Sequence, residues 1–512
     1  MSKDASNYFI TTAIDYVNAL PHLGTAYEKI GADVMARYRR LQGRNVFFLM
    51  GVDEHSLNVE KEAVKRGLDV QAYCDDLAGK FEEVWKTLDI TYDHFVRTSD
   101  PSHVQAVQHI FQSIHQKGDI YLGSYSGWYC ISCEAYLRDK ELVEGNCPVH
   151  KTKPDWIKEE NYFFALSRYQ DGLKRLLGSD AQFIQPRIRH NEVSNVIEGG
   201  LEDISVSRSG IKWGIPLPFD ASQVVYVWFD ALINYISAIG YPFEMERFNQ
   251  WWPANVHVIG KDITRFHCVI WPAMLMSLGI EIPQMVFGHG FVYLKGEKMS
   301  KTTGTLIGPV EAAQKYGSDA LRYFLMREIP FDRDGDFTWE AFTTRYEADL
   351  ANDLGNLVQR TLSMIQKYFN GIIPKPSSYE GMDQELITFS QKIYQDYQEQ
   401  MNAFKFSEAL VGIGSLVQKC NGYVGASAPW SLAKDPALHG RLGTVLYCVA
   451  EMIGRISVLI EPVMPQCASK IRTQLGVEAG TAFTPLLSLE TWGQLKPGTI
   501  LGTLSPLFPR EK

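Results

Sequence analysis

The chain has 512 residues, 45% hydrophobic and 21% charged, which is the balance of a globular protein long enough for three or four domains. A formal charge of −9 argues against a general affinity for nucleic acid and leaves room only for local basic stretches such as residues 37–44 and 187–189. The N-terminus has no apolar signal core and reads as cytoplasmic, and the most apolar C-terminal stretch, residues 445–462, is broken by Glu451, Arg455 and Glu461, so no membrane span is expected.

Residues 7–14 are β-branched and aromatic and predict a buried strand. A turn leads to Pro21-His22-Leu23-Gly24, and Ile30, Val34, Tyr38 and Leu41 then repeat at helical spacing. His22 and Gly24 therefore sit where a strand passes into a helix N-terminus, whose unpaired N–H groups and partial positive charge suit phosphate. Residues 45–51 predict a second buried strand, ending at Asp53 on the edge where open α/β sheets bind ligands.

Residues 118–222 interrupt the alternation and read as an insertion, including a polar, hairpin-like run at 203–212. Within it, Cys130-x2-Cys133 and, after 13 intervening residues, Cys147-x2-His150 have the spacing of a four-ligand tetrahedral zinc site. With no position left open, the metal's role would be structural. The other five cysteines lie in apolar or helical contexts and read as reduced core thiols.

Alternation resumes with a strand-like run at 224–230 and the helix after it, a strand at 255–262 and a last sheet strand at 287–290. A polar loop between Gly296 and Gly304 carries Lys298-Met299-Ser300-Lys301-Thr302, two ammonium groups three residues apart that could neutralise a triphosphate. From 351 onward, residues 349–368, 384–401, 406–424 and 437–461 show 3.6-residue periodicity and predict a helix bundle, while the tail from 499 has little pattern.

The pair Pro21–Gly24 and Lys298–Thr302, in that order, resembles the two signature motifs of class I aminoacyl-tRNA synthetases. The blocks GWYCISCEAYL, ELVEGNCPVH, VWFDALINY and GKDITRFH resemble the methionyl-tRNA synthetases, over about residues 6–475. The resemblance implies an α/β fold, with a Rossmann-like parallel-sheet catalytic domain in two halves (1–117 and 223–295) split by a zinc-binding insertion (118–222). A linking domain (296–350) and an all-α anticodon-binding bundle (351–512) would follow. It implies a methionine pocket of Ile14, Tyr16, Asp53, Trp228, Ala231, Leu232, Tyr235, Ile263 and His267. ATP would be held by His22, Gly24, Thr25, Gly260, Asp262, Lys298 and Lys301, with Mg2+ accompanying it, and His22, Gly24, Lys298, Ser300 and Lys301 would serve catalysis. One structural Zn2+ would sit on Cys130, Cys133, Cys147 and His150. Asn356, Arg360 and Trp430 would read the anticodon of initiator and elongator methionine tRNA, and the enzyme would be a monomer. Thr25 departs from the family pattern, which has a second histidine there, so one phosphate contact would be weaker. Larger editing insertions of related class I enzymes do not fit the roughly 105 residues available between the two halves.

Overall fold

The computed structural model describes residues 4, 6–131, 135–137, 139–148, 151–294, 296–298, 307–477, 483 and 485–509. They fall into two compact units, one of residues 1–21, 46–86 and 91–289, the other of residues 22–45, 87–90 and 290–512.

The first unit is built on a seven-stranded sheet. Its strands run in the order His94–Arg97, Asn45–Asp53, Asn7–Thr12, Val256–Gly260, Val286–His289, Ile184–Gln185, with Asp15–Tyr16 also beside Asn45–Asp53. The pairings are parallel, Ile10 lying opposite Val256, His257 opposite Val286 and Leu49 opposite His94. Asn7–Thr12 and Val256–Gly260 are buried along their whole length, as strands covered on both faces must be. The helices Pro101–Gln116, Val227–Ser237 and Trp271–Leu278 supply Phe111, Phe229 and Trp271 to the core. From Asn7–Thr12 the chain moves first to one neighbouring strand and later to the other. That makes a switch point, and its C-terminal edge gathers Ile14, Tyr16, Asp53 and Gly260.

Two antiparallel sheets fill the expected insertion. One pairs Ile120–Cys130 with Ala135–Leu137 and with Asp155–Phe164, which also pairs with Ile204–Ser205; the other is Ser207–Ser209, Asp220–Val225 and Pro216–Leu217. Three expectations change here. The chain returns from the insertion to the parallel sheet at Ile184–Gln185, which lies opposite Val286–Phe287. The run at 203–212 is no hairpin, because its two short strands join different sheets. The strand expected at 224–230 stops at Val225, within an antiparallel sheet, and Val227–Ser237 is a helix.

In the second unit the helix Leu23–Leu41 is anchored by buried Arg322, whose Nη2 donates to Asp33 Oδ2 at 2.6 Å and whose Nε donates to the Val463 carbonyl at 2.8 Å. Gly31 admits the ring of Phe331, since a Cβ there would lie 2.3 Å from it. A small sheet joins Val292–Leu294 to Glu297–Lys298 and Gly335–Phe337. The helix Trp339–Arg345 passes through a π-helical stretch, Tyr346–Gly355, into Asn356–Tyr368. Gly381–Asn402, Phe406–Ser427, His439–Ile460 and Pro465–Gln474 form the helical bundle. Contrary to the expectation that no stretch is apolar enough to span a membrane, Pro436–Ile460 is, by length and composition; it is the buried core helix of this bundle. The patternless tail is docked as well: Tyr346 donates to the Pro509 carbonyl and Gln474 to that of Ser505.

Candidate active site

Trp228, Ala231, Leu232 and Tyr235 stand at i, i+3, i+4 and i+7 on Val227–Ser237, so one helix face carries all four. Trp228 stacks on Phe266, with centroids 4.0 Å apart and planes at 13°, and meets the edge of Tyr16 at 6.2 Å. Tyr16 in turn lies opposite Asp53, which is buried, in the sheet register. The Trp228 indole N–H is buried and meets no acceptor among the described residues.

A π-helical turn, Phe266–Ile270, carries His267, a kind of helix defect often found at working sites. His267 Nδ1 lies 3.1 Å from the Ile263 carbonyl, which can only accept, so Nδ1 holds the proton; Nε2 of the neutral ring then accepts from the Tyr235 hydroxyl at 2.7 Å. Behind them, His257 stacks on Tyr235 at 4.2 Å. The Trp271 N–H donates to His257 Nε2, so its Nδ1 donates to Thr11 Oγ1 at 2.6 Å. Burial, and then the neighbouring His267, hold His257 well below the ordinary histidine range and therefore neutral. Of the nine residues expected around methionine, eight are thus tied together by register, ring contact, hydrogen bond or shared helix face. Ile14 packs on the apolar core at the same sheet edge.

Gly260 ends its strand and Asp262 follows in a helical turn. A Cβ on Gly260 would lie 2.7 Å from Asp262 Oδ1, so glycine is what lets this carboxylate fold back over the strand end.

In the second unit His22 is the N-cap of Leu23–Leu41: its Nδ1 accepts from the Thr25 N–H at 3.2 Å, with Thr25 Oγ1 3.5 Å away. The proton of the neutral ring is therefore on Nε2. Thr25 thus orients His22 through its backbone N–H. Gly24 presses against that ring, with a notional Cβ 3.0 Å from His22 Cε1 and 3.1 Å from Nδ1. Lys298 lies opposite Tyr293 in the small hairpin, whereas Ser300 and Lys301 lie outside the described residues.

Of the expected zinc ligands, Cys130 and Cys147 are described and both are buried. Cys147 follows the tight turn at Val143–Asn146, where Glu144 and Gly145 take positive φ, and its N–H donates to the Thr152 carbonyl. Cys133 and His150 lie outside the described residues. One buried thiol at the end of the strand Ile120–Cys130 and one after a tight turn fit a structural metal better than a catalytic one.

On the continuation of the π-helical stretch, Asn356 is exposed and Arg360 half-buried, its Nη2 donating to Asn421 Oδ1 at 3.2 Å. The Arg360 Nε meets no acceptor among the described residues. Trp430 is 44% exposed, on a short helix that follows the left-handed turn at Ala428.

Sequence reasoning missed Phe266, which forms one wall with Trp228, and missed a buried cluster in which Asp230 accepts from His55 and His103. An acidic residue inside the apolar block VWFDALIN was the available signal.

A family profile described as "tRNA synthetases class I (M)" matches residues 8–155 and 140–362, and one described as "Anticodon binding domain of methionyl tRNA ligase" matches residues 373–510. The chain is 47% identical over 509 residues to the methionine–tRNA ligase of Caldanaerobacter subterraneus subsp. tengcongensis, covering 98% of this chain and 78% of that one. It is 44% identical to that of Thermotoga maritima, covering 98% and 80%. Among solved structures, Mycobacterium tuberculosis methionyl-tRNA synthetase in complex with methionyl-adenylate superposes with a TM-score of 0.95 at 40% identity, with 100% of each chain covered. The free form of the same enzyme gives 0.89 at 37% identity, covering 100% of this chain and 99% of that one.

Proposed function

The chain belongs to the methionyl-tRNA synthetases of class I, and from that premise we propose how its residues share the work. It is a methionine–tRNA ligase: the methionine carboxylate attacks the α-phosphorus of ATP and pyrophosphate leaves, and the aminoacyl group then passes to the 3′-terminal adenosine of tRNA. No covalent protein intermediate is needed, so the protein's share is orientation and charge stabilisation.

Asp53 takes the substrate ammonium. Tyr16, Trp228, Ala231, Leu232 and Ile14 enclose the thioether, where contact between sulfur and ring is worth about 0.3–1.5 kcal/mol. His267, fixed in one tautomer by Ile263, and Tyr235 form the polar end. Gly260 and Asp262 take the ATP ribose, and His22, Gly24, Thr25, Lys298 and Lys301 serve the phosphates with Mg2+, Ser300 belonging to the same loop. Thr25 acts through His22: by donating to Nδ1 it fixes the ring's proton on Nε2. Cys130, Cys133, Cys147 and His150 would hold one Zn2+ in a structural role. Asn356, Arg360 and Trp430 bind the anticodon of initiator and elongator methionine tRNAs, with Trp430 offering its exposed face for stacking.

The observation that carries the amino-acid pocket is the sequence of contacts from Asp53 through Tyr16 to Trp228 and Phe266, closed by the Tyr235–His267 bond. Methionine-dependent ATP–pyrophosphate exchange tests it. Trp228→Ala should raise the KM for methionine about tenfold or more, the sum of lost burial and ring contact. An unchanged KM would remove Trp228 from the pocket.

A further inference from the structure

Asp230 lies in the first turns of an apolar helix with none of its surface exposed. An ionised carboxylate so placed must be paired. His55 Nδ1 stands 2.7 Å from Oδ2 and His103 Nε2 2.7 Å from Oδ1, and both imidazoles must donate there. Burial alone would raise the carboxyl's pKa; the two histidines outweigh it and leave it below the ordinary range. The outer nitrogen of His103 lies 2.8 Å from Ser237 Oγ, so this ring braces two turns of the same helix, and it also lines a cavity of 140 Å³ with His94, Asp100 and Arg247.

The cluster's neighbours in sequence matter more. His55 comes two residues after Asp53, and Asp230 two residues after Trp228. The segment bearing His55 is held from behind: the Glu54 N–H donates to Thr98 Oγ1 at 2.9 Å, the Glu54 carboxylate pairs with Arg97, and the Glu54 carbonyl accepts from Trp213, whose ring edges onto His55. The His55–Asp230 bond is therefore a rigid tie between the strand end that carries the ammonium-binding carboxylate and the helix turn that carries the thioether-binding indole.

We infer that Asp230 is a positioning residue for methionine, setting through His55 and His103 the separation of Asp53 from Trp228; this rests on the assignment of those two residues to the methionine pocket. It touches neither substrate nor ATP. Its loss should act on methionine alone, because the residues assigned to ATP do not hang on this tie.

Amino-acid-dependent ATP–pyrophosphate exchange on the full chain tests it. Asp230→Asn keeps the size and removes the charge, leaving one histidine without its acceptor. The KM for methionine should rise about tenfold, with the KM for ATP within about twofold and kcat within about threefold, the split expected when one substrate's pocket is mis-spaced. His55→Ala should do the same, and His55→Asn, whose amide nitrogen stands near the Nδ1 position, should recover most of the affinity. This pair decides the matter if Asp230→Asn does not fold. A methionine KM that stays put in the folded variants would overturn the inference, as would methionine and ATP KM values rising together with a falling melting temperature. If Trp228→Ala also leaves the methionine KM unmoved, the pocket assignment itself fails; if only Trp228→Ala raises it, the pocket stands and the positioning role of Asp230 does not.

Discussion

Replacing Gly24 with alanine separates activity from stability. The new methyl would lie 3.0 Å from Cε1 and 3.1 Å from Nδ1 of His22, closer than ordinary contact allows. The imidazole must yield by a few tenths of an ångström; at about a hundredfold in rate per ångström of misplacement, that is about three- to tenfold in kcat. Stability receives two opposed contributions. Alanine is better than glycine inside a helix by about 1 kcal/mol. The cap hydrogen bond from Thr25 N–H to His22 Nδ1 is stretched, at a cost of up to about 1 kcal/mol. The sum is close to zero. Methionine-dependent pyrophosphate exchange should therefore fall about three- to tenfold in kcat, at unchanged methionine KM, in a protein whose thermal or urea unfolding is shifted by less than about 1 kcal/mol. Wild-type kcat in a folded variant would refute the placing of His22 in the chemistry, and a large loss of stability would refute the ledger.

Three further outcomes are expected. Trp430→Ala should raise the KM for tRNA in aminoacylation by about five- to a hundredfold, from about 1–3 kcal/mol of base stacking, with the tRNA-free exchange reaction unmoved; equal charging of wild-type and variant would remove Trp430 from the anticodon. Since His257 is neutral when folded and takes up a proton once unfolded below about pH 6.5, the first unit should lose stability as the pH falls through that value, by up to about 1.4 kcal/mol per pH unit. Urea titrations of His257→Asn across that range should show a flatter slope, and an identical slope would sink the assignment. Metal analysis should find about one zinc per chain, lost in Cys147→Ser together with thermal stability of the insertion; retention of zinc by that variant would disprove the ligand set.

Where periodicity was long and unbroken, the sequence was readable. The buried strand opening at Asn7, the helix Leu23–Leu41 and the bundle helices appear within a few residues of where their apolar spacing puts them. The proposed pocket residues Trp228, Ala231, Leu232 and Tyr235 came from the resemblance, and their shared helical face was not legible, because Trp228 lies in a run that reads as a strand. Reading failed where tertiary contact overrides local preference. Val224–Asp230 looks like a strand by its β-branched and aromatic side chains, yet the helix starts at Val227 because Trp228 stacks on Phe266 and Asp230 is held by two histidines. The edge strand Ile184–Gln185 is two residues long and too short to show a period. His55 and His103 stand 175 and 127 residues from their shared partner, a separation that no local pattern reports. The π-helical turn beneath His267 likewise has no compositional mark.

The other π-helical stretch, Tyr346–Gly355, constrains how this protein can change. A π turn is an α-helix carrying a surplus residue, so deleting one residue there would restore regular hydrogen bonding and tighten the helix. The same deletion would swing everything downstream by about 100° around the helix axis. Asn356 would leave solvent and Arg360 would leave Asn421, while each side chain remained chemically intact. At this place length is constrained as tightly as the buried side chains of Tyr346, Leu350 and Leu354: the segment cannot shed a residue without turning the helix face of Asn356 and Arg360.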